Sequence, residues 1–350
     1  MLENQNKTFG ALITDSNGYV YLKQDRNEKY TLFYCLQDVV SECFSGFDVV
    51  VEEVSDVLTG KVSDNDIEIK LIEISPLEVV PSDILYVSLQ DAISRIIDSR
   101  IDDILTVAAL LKAEHFKLIK AKTQVIYEDE YCIAVNKPHG LLVHRTTMST
   151  DKEFLLQRVR DQSGKKVFPV HRLDRPTSGL VLFAFSKDSI STFSKLFSER
   201  KVRKTYWALV RGWTDDSGTI DSPLKSSNGK EQEALTLYKT LASTEVDIPV
   251  RPYDKSRYSL VEIDLKTGRT HQIRRHFAHL RHPLIGDTTY GDGKHNKMFR
   301  NNFNSHRLML HAMKLEFIHP FCSKNMSLEA PLERGFKNVL KKLALLEDIK

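Results

Sequence analysis

Nine residues, HRLDRPTSG at 171–179, set one carboxylate, Asp174, between two guanidiniums, Arg172 and Arg175. An aspartate must be ionised to act as a nucleophile or a base. A neighbouring guanidinium favours that form. A second cationic cluster stands at THQIRRHFAHLRHP, where Arg274 and Arg275 follow His271. Arg274 is therefore a further candidate partner for Asp174. On an extended chain Arg172 and Asp174 share a side, while Arg175 points away. Taken alone, the segment fits an ordinary loop ion pair better, with Thr177 and Ser178 capping a turn.

Other chemistries fit poorly. The order His-Arg-Leu-Asp displaces the aspartate of a kinase catalytic loop by one residue, and neither a Gly-rich loop nor Asp-Phe-Gly occurs. Histidines 271, 276, 279 and 282 lack the His-Glu-x-x-His spacing of a zinc site, and the surrounding basic side chains would repel a cation. Ser178 is not in a Gly-x-Ser-x-Gly elbow. No second acid is placed for paired-carboxylate hydrolysis. What remains is a single aspartate in a basic, aromatic setting. Basic side chains contact phosphates, and aromatics such as Tyr206 and Trp207 can stack on an unstacked base. Enzymes that act on a base must first extrude it from its helix.

The elements that must hold these residues follow from periodicity. GLVLFAF (179–185) is a continuous apolar run and reads as a strand covered on both faces. KDSISTFSKLFSER reads as an amphipathic helix, and KTYWALVRG, ALTLYKTL and YSLVEIDL as strands. TGRTHQIRRHFAHL turns into a helix with Ile273, Phe277 and Leu280 on its buried stripe, and RLMLHAMKLEFIHP closes with another strand. VIYEDEYCIAVNKPHGLLVH is expected to run strand, Asn-Lys-Pro-x-Gly turn, strand, with a helix near 152–162. Strands and helices mix without regular alternation, which predicts an α+β catalytic domain.

Upstream, residues 10–36 read as a hairpin and a further strand, and FDVVVEEV and DIEIKLIEI as strands. Residues 89–120 carry helical periodicity. A boundary is expected near residue 121, giving domains 1–120 and 121–350. The two parts differ in charge: residues 1–120 hold 11 Lys and Arg against 21 Asp and Glu, and the remainder 39 against 26. The second part is thus suited to a polyanion, or else the two domains differ only in their solvated surfaces. No apolar stretch approaches the roughly 20 residues that cross a bilayer. The start MLENQNKTFG does not resemble a signal peptide. Four scattered cysteines (Cys35, Cys43, Cys132, Cys322) fit a reducing compartment, so a cytoplasmic protein is expected.

HRLDRPTSG with NKPHGLLVHR upstream, and KTYWALVRG, LKTGRTHQIRRHFAHLRHPLIGDTTYGD and RLMLHA downstream, resembles the RluA-type family of RNA pseudouridine synthases in motif order. The resemblance covers about Val125 to Pro331. It implies a pseudouridine-synthase fold, with a mixed, mainly antiparallel central sheet flanked by helices and loops. It also implies an isomerisation of uridine that needs neither cofactor nor metal. Asp174 would be the catalytic aspartate, attacking C1′ of the ribose or C6 of the base. Tyr206 would stack on the base and assist proton removal from C5. Arg274 would pair with Asp174, and Leu310 would line the apolar side of the pocket. Arg172 would fill the place of the flipped base or contact its backbone. Arg175, Lys204 and Arg275 are expected near the RNA, and His271 either orients the arginine or caps the helix start. NKPHGLLVHR, VRDQSGKKVFPVHRLDRPTSG and RHFAHLRHPLIGD are most similar to the members that modify uridine-65 in the T stem of tRNA. Ribosomal RNA, other tRNA positions, and an RNA-binding or RNA-folding role without essential catalysis are the alternatives. Residues 1–120 do not resemble the basic S4-like domain found in many members. They are expected to form a separate acidic α+β domain, either contacting another protein or regulating, or repelling wrong RNAs. The sequence gives no oligomeric state.

Overall fold

The computed structural model describes residues 123–145, 153–226 and 228–346 throughout. Of residues 1–122 it describes six strands and the single positions Ala92 and Thr106. The chain divides into two units, Met1–Lys122 and Thr123–Lys350.

The first unit carries β1 (Lys7–Asp15), β2 (Tyr19–Gln24), β3 (Tyr30–Thr31), β4 (Val51–Val62), β5 (Asn65–Ile74) and β6 (Ile84–Ser88). They form one sheet in the order β3-β2-β1-β5-β4, with β6 on β2. β1 and β2 are the hairpin read from the sequence, and β5 contains the alternating DIEIKLIEI. The helix expected over 89–120 lies outside the described residues, apart from Ala92 and Thr106, both helical and buried.

The second unit begins with β7 (Gln124–Glu128), β8 (Cys132–Lys137), α1 (Leu155–Ser163), β9 (Phe168–Pro169), β10 (Ser178–Ala184), α2 (Lys187–Ser198) and β11 (Arg203–Arg211). It continues with β12 (Ser217–Asp221), β13 (Leu224–Lys225), β14 (Glu231–Gln232), β15 (Leu235–Val246), β16 (Ser256–Leu265), α3 (Gln272–His279), α4 (Gly293–Phe303), β17 (Leu310–Ile318), β18 (Asn325–Glu329) and α5 (Arg334–Lys342). Ten of these strands make one sheet along β12-β15-β16-β11-β17-β10-β8-β7, with β18 on β17 and β9 on β10. Every pairing in it is antiparallel except β10 with β17. The result is a mixed, mainly antiparallel sheet.

β10 lies inside this layer, between β17 and β8, because its sequence offers nothing to water. All seven of its residues are buried. Successive side chains alternate between two cores: Val181 and Phe183 pack with Ile133, Val135 and Val261, while Leu180, Leu182 and Ala184 pack with Phe193 and Leu315. Each of the valine, leucine and phenylalanine side chains contributes about 1.5–3 kcal/mol by leaving water. At the start of β10, Gly179 has φ +112, and a Cβ there would collide with the backbone of Ala312. The parallel seam with β17 therefore requires glycine at this point.

One expectation fails. LLVH after the Asn-Lys-Pro-His-Gly turn is not a strand, and the sheet strands lie before the turn, where β7 and β8 form a hairpin around Asp129. The carbonyls of Leu142 and Val143 instead accept the N–H groups of Leu155 and Leu156 at 2.8 and 3.0 Å. These are donors that the first turn of a helix cannot satisfy internally. The segment caps α1 rather than extending the sheet.

Candidate active site

The turn from β9 into β10 carries HRLD, and it is pinned from behind. Lys137, the last residue of β8, is wholly buried, and its ammonium donates to the carbonyls of Pro138, Leu141 and Arg175 at 2.9, 2.7 and 3.1 Å. Burial, only partly offset by Glu333, pushes this ammonium down to about 7. His171 stacks on Phe197 with centroids 4.7 Å apart, and its Nε2 accepts the Leu182 N–H at 3.1 Å. Burial and Lys204 push that imidazole down to about 3, so it is a neutral acceptor. A Thr177 N–H to Asp174 carbonyl bond of 3.1 Å closes the turn. Held this way, Asp174 presents its carboxylate, 25 % exposed, to a cleft of about 510 Å³.

Across the cleft, α3 begins at the second cationic cluster. Ile273 and Phe277 bury against the main core, and Leu280 packs against it half-buried. Arg274 is buried as well, its side chain 5 % exposed. Its Nε and Nη2 donate to the two oxygens of Asp287 at 2.7 and 2.8 Å, a bidentate pair. Its remaining Nη1 reaches Asp174 Oδ2 at 3.4 Å. Burial alone would raise the Asp287 carboxyl. The Arg274 bonds and the N–H groups of Tyr290 and Thr289 reverse that and hold it below the usual carboxylate range. Burial alone would lower the Arg274 guanidinium, yet Asp287 and Asp174 raise it, so it stays charged. Gly286 sets this up: its φ is +78, and a Cβ would strike the backbone of Arg307.

Tyr206 lies on β11 where the ladder to β17 slips, Thr205 facing Lys314 and Tyr206 facing Ala312. A bulge of this kind re-aims side chains beside a site. The Tyr206 ring lines the cleft while only 8 % exposed. Burial, then the Asp174 charge, push its phenol far up, so it stays protonated. Leu310, at the start of β17, forms the apolar wall. Arg172 is exposed on the rim, and Lys204 is half-buried in the wall, its ammonium lowered by burial despite Asp264.

The structure thus brings Asp174, Tyr206, Arg274, Leu310, Arg172, Lys204 and His271 together around one cleft. It does not bring Arg175 or Arg275 there. The Arg175 Nε donates to the Gly140 carbonyl at 2.9 Å, and the Arg275 Nη1 to the Lys225 carbonyl at 3.0 Å. His271 stands at the N-cap of α3 without making a cap bond, and Asp287 rather than His271 orients Arg274. The cap-like bonds come from Gln272, whose Oε1 accepts from the Arg269 N–H at 3.0 Å and the Thr267 hydroxyl at 2.8 Å. Further along α3 and beyond it, His276 contacts Thr236 and Ser222, and His282 the Arg211 carbonyl. Asp287, Tyr290 and Lys137 were missed as site residues. Asp287 and Tyr290 lie within LIGDTTYGD, where an acid and an aromatic follow a glycine, but nothing there indicates a partner 13 residues upstream.

Comparison with known proteins gives the class to which this sheet belongs. The RNA pseudouridylate synthase family profile matches residues 131–279. A tRNA pseudouridine synthase C of Vibrio parahaemolyticus is 47 % identical over 238 residues, 65 % of this chain and 97 % of that protein. The chain belongs to this family and is a pseudouridine synthase. The tRNA pseudouridine synthase C of Salmonella typhi is 43 % identical over 229 residues, covering 62 % of this chain and 88 % of that protein. The solved structure of human RNA Pseudouridylate Synthase Domain Containing 4 shares the fold, with a TM-score of 0.50 at 23 % identity, covering 67 % of this chain and 96 % of that one. Among the described residues, no helix is long and apolar enough to cross a membrane.

Proposed function

We propose that this chain isomerises uridine to pseudouridine in tRNA, at uridine-65 of the T stem, with Asp174 as the covalent nucleophile. The observation that carries this reading is the single carboxylate facing the cleft, aimed by a guanidinium that is itself locked on a buried acid. The tRNA target rests on the names of the relatives and on the motif resemblance. The flipped nucleotide enters between Leu310 and Tyr206, and the phenol stacks on the base. Arg274 keeps Asp174 ionised for attack and stabilises the carboxylate when it leaves. Arg172 and Lys204 meet the RNA backbone, where their charges contribute affinity without reading sequence. The reaction detaches the base, turns it and rejoins it through C5. Its atoms balance within the substrate, so one acid and a proton acceptor suffice.

The test is tritium release from tRNA carrying 5-tritiated uridine, with Asp174→Asn alongside the wild type. Wild type should release tritium and the variant none, and mapping the product should place it at position 65. Release at another position would move the target; release by the variant would remove Asp174 from the chemistry.

A further inference from the structure

Two tight turns meet at the end of the sheet away from the cleft. β17 starts at Leu310, in the cleft wall, and ends at Ile318, so the turn that follows it lies at the opposite end of the strand. That turn carries His319-x-x-Cys322, and the β7–β8 hairpin carries Asp129-x-x-Cys132. Each segment sets two metal-ligand types at i and i+3, the spacing with which a tight turn presents donors to one ion. A carboxylate oxygen of Asp129, the sulfur of Cys132 and a ring nitrogen of His319 lie within 4.8 Å of one another.

The donors are fixed by their surroundings. Asp129 Oδ1 accepts the N–H groups of Tyr131 and Cys132, both at 2.8 Å, and Oδ2 accepts the Tyr127 hydroxyl at 2.9 Å. Burial alone would raise the Asp129 carboxyl. The two N–H groups, Tyr127 and His319 reverse that and lower it, so it is ionised. His319 is wholly buried, its ring packed by those of Phe193, Tyr131 and Phe321 with centroids 5.4, 5.9 and 6.0 Å away. Its Nε2 lies 3.1 Å from Asp129 Oδ2, yet among the described residues it has no hydrogen-bond partner. A buried polar atom left in this state calls for a physical reason. Cys132 is wholly buried too, and burial, then the Asp129 charge, push its thiol far up. A cation would reverse that shift, because it binds the thiolate.

We infer that Asp129, Cys132 and His319 bind a zinc ion, which staples the β7–β8 hairpin to the turn after β17. A carboxylate oxygen, a thiolate and an imidazole form the mixed donor set that zinc takes in tetrahedral sites. The carboxylate and the thiolate carry two negative charges, which a divalent ion cancels. The fourth position falls to water, on the side where Asp129 is 21 % exposed. Binding exchanges the Cys132 proton for the ion and releases it to solvent. The ion takes Nε2, so the ring proton stands on Nδ1, where the Cys322 sulfur accepts it at 3.2 Å. The N–H groups of Phe321 and Cys322 approach Nδ1 at 3.3 Å; these contacts are long and give way. The site takes no part in the chemistry of the cleft, so its readout is metal rather than turnover.

The experiment strips the full-length chain with a chelator, adds one equivalent of zinc, and measures the zinc retained after gel filtration. It compares wild type with Cys132→Ser, Asp129→Asn and Cys322→Ser. Wild type should retain one zinc per chain. C132S and D129N should each bind more weakly by more than the roughly 10–100-fold that an outer partner of a metal site is worth. C322S, which loses an exposed thiol, should keep the one-to-one stoichiometry. Cobalt in place of zinc should give wild type and C322S a near-ultraviolet thiolate-to-cobalt charge-transfer band that C132S lacks. Added zinc should raise the Tm of wild type and leave that of C132S unchanged. A wild type that retains no zinc would overturn the site whatever the variants do. Zinc held as tightly by C132S as by wild type would also overturn it, by handing the ion to other thiols. D129N, isosteric with the native residue, carries the comparison if C132S does not fold.

Discussion

Asp287 and Asp174 are bound by the same guanidinium and are treated in opposite ways. Asp287 is 1 % exposed, takes two short bonds from Arg274, and accepts the N–H groups of Thr289 and Tyr290 besides. Asp174 is 25 % exposed and touches only the third nitrogen, at 3.4 Å. The first carboxylate is filled by protein donors, and the second is left open to the cleft. If Asp174 is the nucleophile, as proposed, as many donors as Asp287 has would make it a poor one. The lesson is that one arginine can be locked by a buried acid while it still reaches a second, more open one.

Two perturbations test this division, and a third tests the rim of the cleft. The largest effect is expected from Asp287→Asn. Breaking one side of a buried ion pair costs about 3–5 kcal/mol, so thermal or denaturant unfolding should show a loss of that order. Turnover should fall as well, because Arg274 is freed to close on Asp174. A variant as stable as wild type would dissolve the distinction between the two acids.

The second perturbation is pH. The folded state holds the Asp287 carboxyl below its unfolded value, so its stabilisation is present above the ordinary carboxylate range. It disappears as pH falls through the depressed folded value. Unfolding measured from neutral to acid pH should therefore show the gap between wild type and D287N narrowing only below about pH 4, the unfolded reference. A gap constant across that range would mean that Asp287 acts by packing alone.

The smallest effect belongs to the rim. Lys204→Ala should weaken RNA binding modestly and make it less sensitive to salt, with the log–log slope falling by about 0.7–0.9 if one phosphate contact is lost. An unchanged slope would place Lys204 with the structural cations rather than the binding ones.

The sequence revealed the exposed member of this pair and concealed the buried one. Asp174 and Arg274 stand in charge-rich motifs with clear spacing, and helix α3 and strands β10, β11 and β17 follow from apolar periodicity. Asp287 sits in an uncharged turn, and its pairing arises only when α3 packs on the sheet. The bulge between Thr205 and Tyr206 is invisible for a similar reason: it depends on the register of β17, not on the residues of β11. LLVH misled because its apolar pattern suits a strand, while the α1 N–H groups nearby compete for its carbonyls. Arg175 and Arg275 are basic and adjacent to site residues, yet one step along a turn or a helix turns each away from the cleft.

The parallel seam between β10 and β17 has a consequence for synthesis. It joins Ser178 to His311, 133 positions apart, and sets Leu310 beside the catalytic turn. Contacts so distant in sequence form late, and they cannot form at all on a ribosome that has not yet made β17. A nascent chain stopped before Leu310 carries Asp174, Arg274 and Asp287, but lacks the wall of the cleft that Leu310 supplies. The cleft is therefore completed only once most of the chain has been made.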